Sequence, residues 1–369
     1  MRINVWDYLK EYEQEKEEIH AAIEQVFRSG QLILGENVRQ FEQAFAAYCE
    51  VQYGVGVDNG TNAIMLGLLA LGLQPGDEVI TVANTAVPTV SAIVSAGGIP
   101  RFVDIDPTTY LMDTNLLETA ITPKSRCILP VHLFGQCVDM TAVNVIAQQH
   151  NLLTLEDCAQ AHGARFQGKV AGSMAHAAAF SFYPTKILGT YGDGGMVVTN
   201  DEDVAHKLRQ LRFYGMENTY YAEEHGYNSR LDELHAAILR RKLSHLNSYL
   251  TRRRELANRY DTELAHTGLL LPKVSPQNDH AYYLYVVRHP RRDEILAQLK
   301  EYDIFVNISY PWPIHTMRGY KSLGYKPGDL PETEAAANEI FSLPMYPTLT
   351  HAEQDRVCVA LQTIMEKLV

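Results

Sequence analysis

Short apolar runs alternate with amphipathic stretches from about Val51 to Asn200, and this alternation limits the possible folds of the 369-residue chain more than any other feature. The runs cover 53–57, 78–82, 101–105, 126–131, 152–156, 177–182 and 196–199. Helical patterns over 62–71, 87–96, 114–120 and 142–149 separate the earlier ones. Strands spaced by helices predict parallel pairing in one sheet with helices on both faces. In such sheets ligands gather at the carboxyl ends of the strands. Beyond Asn200 the pattern changes. One helix is predicted over 201–213 and a very long one from Arg230 to about His266, where Leu231, Leu234, Ile238 and Leu246 recur near helical spacing. A smaller unit follows the Pro-containing turn at 271–276: a strand at 282–288, a helix at 292–301, a strand at 304–308 and a closing helix at 351–368. The reading is a large α/β domain followed by a small α+β domain.

Charge and cysteine usage narrow the function. The chain carries a formal net charge of −12, which disfavours nucleic acid and anionic membrane as partners because both need a positive field. The basic clusters Arg240-Arg241-Lys242 and Arg252-Arg253-Arg254 fall in the long helical stretch and read as a solvated face. The 5 cysteines are odd in number and lack metal-ligand spacing, so neither a disulfide framework nor a metal site is expected. The opening residues, Met1 to Tyr8, contain no apolar signal segment, and no apolar run reaches the roughly 18 residues of a membrane span. A cytoplasmic protein is expected.

Three features carry chemistry. Asp157 ends an apolar run in Leu153-Thr154-Leu155-Glu156-Asp157, and a carboxylate buried there is costly unless a cation meets it. Lys186 follows in Ser181-Phe182-Tyr183-Pro184-Thr185-Lys186, before a glycine cluster from Gly189 to Gly195. A partly shielded lysine can lose its proton and attack a carbonyl. That glycine cluster precedes a strand rather than opening a helix, so it does not match a dinucleotide-binding loop. The third feature, Asp58-Asn59-Gly60-Thr61-Asn62, sits between a strand and a helix, where free backbone N–H groups make an anion site. Taken singly, the three are equally well a cap, a surface lysine and an N-cap. Together they match the needs of pyridoxal 5′-phosphate: a cradle for phosphate, a carboxylate for the ring nitrogen and an amine for the Schiff base.

At this point the sequence resembles the nucleotide-sugar aminotransferases of the DegT/DnrJ/EryC1/StrS family. The resemblance runs nearly end to end, through Ser29-Gly30, Leu34-Gly35, Phe41-Glu42, Pro75-Gly76-Asp77-Glu78-Val79-Ile80, Pro130-Val131-His132-Leu133-Phe134-Gly135, Ala159-Gln160-Ala161-His162-Gly163-Ala164 and Leu343-Pro344-Met345. It implies the aspartate-aminotransferase (type I) fold, an α/β architecture. A large domain over 1–265 would carry a mixed, mostly parallel sheet, with a small α+β domain over 266–369. It also implies pyridoxal 5′-phosphate as cofactor and a homodimer with shared active sites.

By that resemblance, Lys186 is the catalytic lysine, Asp157 pairs with the ring nitrogen and Gln160 contacts the ring hydroxyl. Gly60, Thr61 and Ser181 hold the phosphate, and Asn228 reaches the partner's phosphate. Tyr183, Tyr310 and His315 match segments that meet the sugar. The sequence also departs from its relatives. Ala86 stands where many of them place an aromatic residue over the cofactor ring, which leaves His162 or a residue of another loop to cover it. Ser309 replaces a histidine common before the tyrosine equivalent to Tyr310. The segments Ser181–Lys186 and Asn228-Ser229-Arg230-Leu231-Asp232-Glu233 are similar to members that aminate carbon 3 of a keto sugar. The expected reaction transfers the amino group of L-glutamate to a dTDP-linked 3-keto-6-deoxyhexose. The alternatives are a 4-aminotransferase acting on a 4-keto-6-deoxyhexose and a catalytically retired cofactor-binding regulator.

Overall fold

The computed structural model describes residues 2–218 and 220–368; Met1, Thr219 and Val369, two of which bound the expected domains, lie outside it. The central sheet has seven strands: β1 Tyr53–Val57, β2 Glu78–Val82, β3 Ile99–Val103, β4 Ser125–Ile128, β5 Leu153–Asp157, β6 Ala177–Ser181 and β7 Gly195–Thr199. Their order is β1-β7-β6-β5-β4-β2-β3, with β7 antiparallel to both its neighbours and every other pair parallel. The sheet is thus mixed and mostly parallel. Strand β3 begins two residues before its expected start and includes Pro100. A proline that cannot donate to a ladder is tolerated there because β3 is an edge strand.

The helix Gly60–Ala70 is apolar nearly all round, and Ala63 to Leu68 are all buried, as expected of a helix packed on both sides. It lies against β6 and β7 on one side and the helices Val87–Ser95 and Glu202–Leu211 on the other. The helix Glu36–Tyr48 has no side-chain cap of its own. Glu233, 1% exposed, supplies one from the start of the long helix Glu233–Leu264, accepting from the backbone N–H groups of Gly35 (2.8 Å), Asn37 (3.0 Å) and Val38 (2.8 Å). A buried carboxylate at a helix N-terminus meets both the free donors and the favourable end of the dipole.

The C-terminal unit is built on Tyr285–Arg288 paired antiparallel with Ile340–Leu343, flanked by the helices Arg292–Glu301 and His351–Leu368. Its core draws from both sides of residue 265: Ile3, Leu256 and Tyr260 pack with Tyr285, Phe341 and Leu361. The strand Ile3–Asn4 even pairs with Ile304–Phe305. Asp104, just past β3, ties the two regions together by accepting from the N–H groups of Glu332 and Thr333 at the start of the helix Pro331–Glu339.

The basic clusters of the long helix are not simply a solvated face. Lys242 is buried and paired with Glu15 at 3.0 Å. Arg253, 3% exposed, donates to the carbonyls of Tyr282, Tyr283 and Met345. Burial lowers its pKa to about 10. A 32-residue helix crossing from one core to the other cannot keep every charged position in water: Lys242 joins Tyr191 and Tyr249 on the partly buried Glu15 carboxylate, and Arg253 serves carbonyl groups that would otherwise be buried without partners. All five cysteines are free and buried. Among the described residues no helix is long and apolar enough to cross a membrane.

Candidate active site

Four strands deliver their carboxyl ends to one cavity of about 510 Å³. Strand β1 leads into Asn59 and Gly60, β2 into Thr85 and Ala86, β5 ends in Asp157 and β6 ends in Ser181. Gly60, Thr61, Asp157, Gln160, Ser181 and Lys186 all line the cavity, together with the half-exposed Tyr183.

The anion cradle follows from helix geometry. Asn59 caps the helix Gly60–Ala70 by accepting from the N–H of Asn62 at 2.8 Å. The N–H groups of Gly60 and Thr61, in the first turn, have no intrahelical acceptor and are open to an anion. Gly60 is required by close approach: a Cβ there would lie 2.5 Å from Cβ of Ser181. Gly195 is required likewise, because its Cβ would lie 2.4 Å from the carbonyl oxygen of Asn59. The glycine-rich stretch thus lets β7 enter the sheet beneath the cradle.

Asp157 is 4% exposed, and burial raises its carboxyl pKa. The N–H of Ala159 (3.1 Å), the hydroxyl of Thr89 (2.8 Å) and the charge of Lys186 all oppose that rise. Because Thr89 donates to Asp157, its oxygen is left to accept from Thr85, 2.9 Å away. Nothing in the sequence marked Thr89, which lies in the first turn of the helix Val87–Ser95 and meets Asp157 from 68 residues away.

Lys186 sits in a turn, its N–H donating to the carbonyl of Tyr183 at 2.8 Å. Its Nζ lies 4.7 Å from the ring centre of Tyr283, whose hydroxyl is 3.1 Å from that of Thr185. Nothing in the sequence marked Tyr283, which reaches the lysine from a loop between the two cores.

The remaining expected residues divide between the cavity and positions outside it. Gln160 lines the cavity, and Tyr310 reaches it by accepting from the Gln160 amide. His315 is buried, with Nε2 2.9 Å from Glu334 and its ring edge-on to Tyr325, outside the cavity wall. Asn228 is exposed, opposite Phe213, and is also outside the wall of its own chain's cavity. His162 does not cover the cavity: it is fully buried among Phe45, Phe180 and Phe182, and burial lowers its pKa to about 3. Ala86 leaves its part of the wall without an aromatic ring.

His132, Glu156 and Cys158 approach one another closely enough to suggest a metal site, yet their hydrogen bonds account for them. Glu156 accepts from Gly172, Met174 and Ala175 backbone N–H groups and from His132 Nε2. His132 Nδ1 accepts from the N–H of Val138, which places the ring hydrogen on Nε2.

A buried carboxylate, an amine and a helix N-terminus in one cavity suit a phosphate-bearing, cationic ring that forms a covalent bond to lysine. The profile of the DegT/DnrJ/EryC1/StrS aminotransferase family matches residues 13–362. A dTDP-3-amino-3,4,6-trideoxy-alpha-D-glucose transaminase from Micromonospora megalomicea subsp. nigra is 56% identical over 100% of both chains. A protein from Geobacillus stearothermophilus named pleiotropic regulatory protein is 45% identical over 97% of each. Among solved structures, S. venezuelae DesV in complex with a ketimine intermediate superposes with a TM-score of 0.97 at 42% identity, covering 99% of each chain.

Proposed function

Because the chain belongs to the DegT/DnrJ/EryC1/StrS aminotransferase family, we propose that it carries the amino group of L-glutamate to a dTDP-linked 3-keto-6-deoxyhexose, giving a dTDP-3-amino-3,6-dideoxyhexose. It is a transaminase, and its cofactor is pyridoxal 5′-phosphate. The cavity fits that group. The close packing of Gly60 on Ser181 brings the free N–H groups of the helix end and the Ser181 hydroxyl together on one wall as a phosphate cradle, and the costly buried carboxylate of Asp157 gains a cationic partner. The observation that carries the reading is the convergence of Asp157, Lys186 and the Gly60–Thr61 helix end on one cavity.

When bound, the cofactor supplies an electron sink. The chain's own residues do the rest. Asp157 holds positive charge at the ring nitrogen, while Gly60, Thr61 and Ser181 anchor the phosphate. Lys186 Nζ takes the proton from Cα of the amino donor and returns it within the site, acting as base and then acid. The same steps in reverse place the nitrogen on the sugar. Tyr183, half-exposed on the cavity wall, and Tyr310, bonded to Gln160, are the residues given to the sugar. His315, expected at the sugar, is instead buried outside the cavity wall and bonded to Glu334, so it is given no contact with the sugar. The two domains are assigned to 1–265 and 266–369, with the strand Ile3–Asn4 seated on the smaller.

The Micromonospora relative's name specifies a sugar without the carbon-4 hydroxyl, so a 4-deoxy form of the 3-keto substrate belongs in the test. Purified protein incubated with L-glutamate and a panel of dTDP-3-keto and dTDP-4-keto sugars is expected to release 2-oxoglutarate with the 3-keto compounds. Mass and NMR of the product locate the nitrogen. Amination only at carbon 4 would replace this reading with that of a 4-aminotransferase. The name of the Geobacillus relative favours a second reading, a cofactor-bound regulator, and turnover of no sugar at all would support it.

The exposed position of Asn228, outside its own cavity, supports a homodimer in which it reaches the partner's phosphate. Lys186→Ala and Asn228→Ala chains then damage different halves of a shared site. Co-expressed as heterodimers, they are expected to regain activity above either parent, because one of the two composite sites contains both intact residues. Verified heterodimers no more active than the parents would place Asn228 outside the partner's site.

A further inference from the structure

Gln160 is held between two aromatic residues in an unusual backbone conformation. Phe134 (φ 59) and Tyr310 (φ 61) both occupy the left-handed region. Bulky residues are strained there and persist only where their surroundings over-determine them. Their rings lie nearly parallel, at 14° with centroids 6.3 Å apart. The N–H of Phe134 donates to Oε1 of Gln160 at 2.7 Å. Only an oxygen can accept from that N–H, so the bond fixes which end of the amide is which. The NH₂ end therefore meets Tyr310, whose phenol oxygen accepts one of its two hydrogens. Among the described residues nothing accepts the second. Gln160 is 4% exposed and lines the cavity with Asp157 and Lys186, so that hydrogen is available to whatever the cavity holds.

We propose that Tyr310 is a positioning residue for the cofactor: by taking one amide hydrogen of Gln160, it presents the other to the oxygen on the cofactor's ring. The proposal rests on the reading that the cavity takes pyridoxal 5′-phosphate, and it gives Tyr310 a task separate from any contact with sugar. A hydrogen bond donated to the ring oxygen stabilises its negative charge and weakens its hold on the proton it shares with the Lys186 nitrogen. Without the phenol oxygen the amide loses one of its two tethers and donates less well, so that proton is held more tightly.

The test is a pH titration of the holoenzyme's visible absorbance in the parent, Tyr310→Phe, Gln160→Leu and the double variant. Tyr310→Phe is expected to move the midpoint upward by roughly half to one pH unit, the size of one modest hydrogen bond. Gln160→Leu should move it at least as far, and the double variant no further than Gln160→Leu, because a residue acting through another adds nothing once that other is gone. An unmoved midpoint in Tyr310→Phe, or additive shifts in the double variant, would overturn the proposal. Failure of Tyr310→Phe to take up cofactor would also overturn it, since the phosphate cradle and Asp157 are untouched. A parent protein that takes up no pyridoxal 5′-phosphate would instead sink the underlying reading of the cavity.

Discussion

Lys186→Ala is expected to abolish transamination while leaving the fold intact. The side chain is partly exposed, and its ammonium sits over the ring of Tyr283 at 4.7 Å. A contact of that kind contributes about 0.5–1 kcal/mol, so the melting temperature should fall only slightly. Catalysis loses both its covalent anchor and its proton carrier, and no neighbouring group replaces them. Tyr283 cannot, because a phenol is far too weak a base near neutral pH. The variant should still bind pyridoxal 5′-phosphate through the cradle and Asp157, without the absorbance of the lysine-linked form. Measurable turnover in the absence of added amine would show that another residue makes the covalent link.

Asp157→Asn should separate function from stability. A neutral amide cannot balance a cationic ring nitrogen, and an activity loss of about 10²–10³, roughly 3–4 kcal/mol of barrier, is expected. A loss below about tenfold would mean that another group supplies the charge. The cofactor-free protein should respond in the opposite sense. Burial raises the carboxyl pKa, so the folded chain keeps the proton to higher pH than the unfolded chain does. Stability therefore falls as pH rises from the ordinary carboxyl value through the raised one, and the whole penalty applies above that window. Asparagine removes the penalty at little cost in hydrogen bonds: its oxygen accepts from the N–H of Ala159, and Thr89 can reverse its hydroxyl toward Thr85 to accept from the new amide. Melts of the cofactor-free proteins should place the variant above the parent at pH 8, with the gap closing toward pH 4. Equal melting temperatures at pH 8 would mean that the ionised carboxylate is already stabilised in the empty cavity, with Lys186 the nearest candidate.

Much of the sheet was legible because its strands are buried on both faces and therefore read as short, nearly continuous apolar runs. The helices Arg292–Glu301 and His351–Leu368 match their sequence reading at both ends. The start of β3 was not legible, because Pro100 looks like a break until the strand is known to be an edge. Lys242 and Arg253 were misread as solvated for a related reason. A charged residue in a helix reads as exposed unless its buried partners are known, and those partners, Glu15 and the carbonyls of Tyr282, Tyr283 and Met345, lie on other segments.

The candidate site divides along the same line. Gly60, Thr61, Asp157, Ser181 and Lys186 stand at strand ends or in the turns that follow them, and strand ends can be read from local pattern; in a parallel sheet they necessarily collect along one edge. By itself the sequence determined the alternation of strands and helices, and with it the gathering of these groups at one end of the sheet, because both follow from backbone periodicity and the burial of apolar side chains. Only the tertiary structure decided what surrounds them: Thr89 on Asp157, Tyr283 under Lys186, Tyr310 and Phe134 on Gln160, and His162 sealed in the core rather than lying on the cavity wall. Those contacts join residues far apart in the chain through single hydrogen bonds and ring faces, which leave no period in the sequence and depend on positions that packing alone sets.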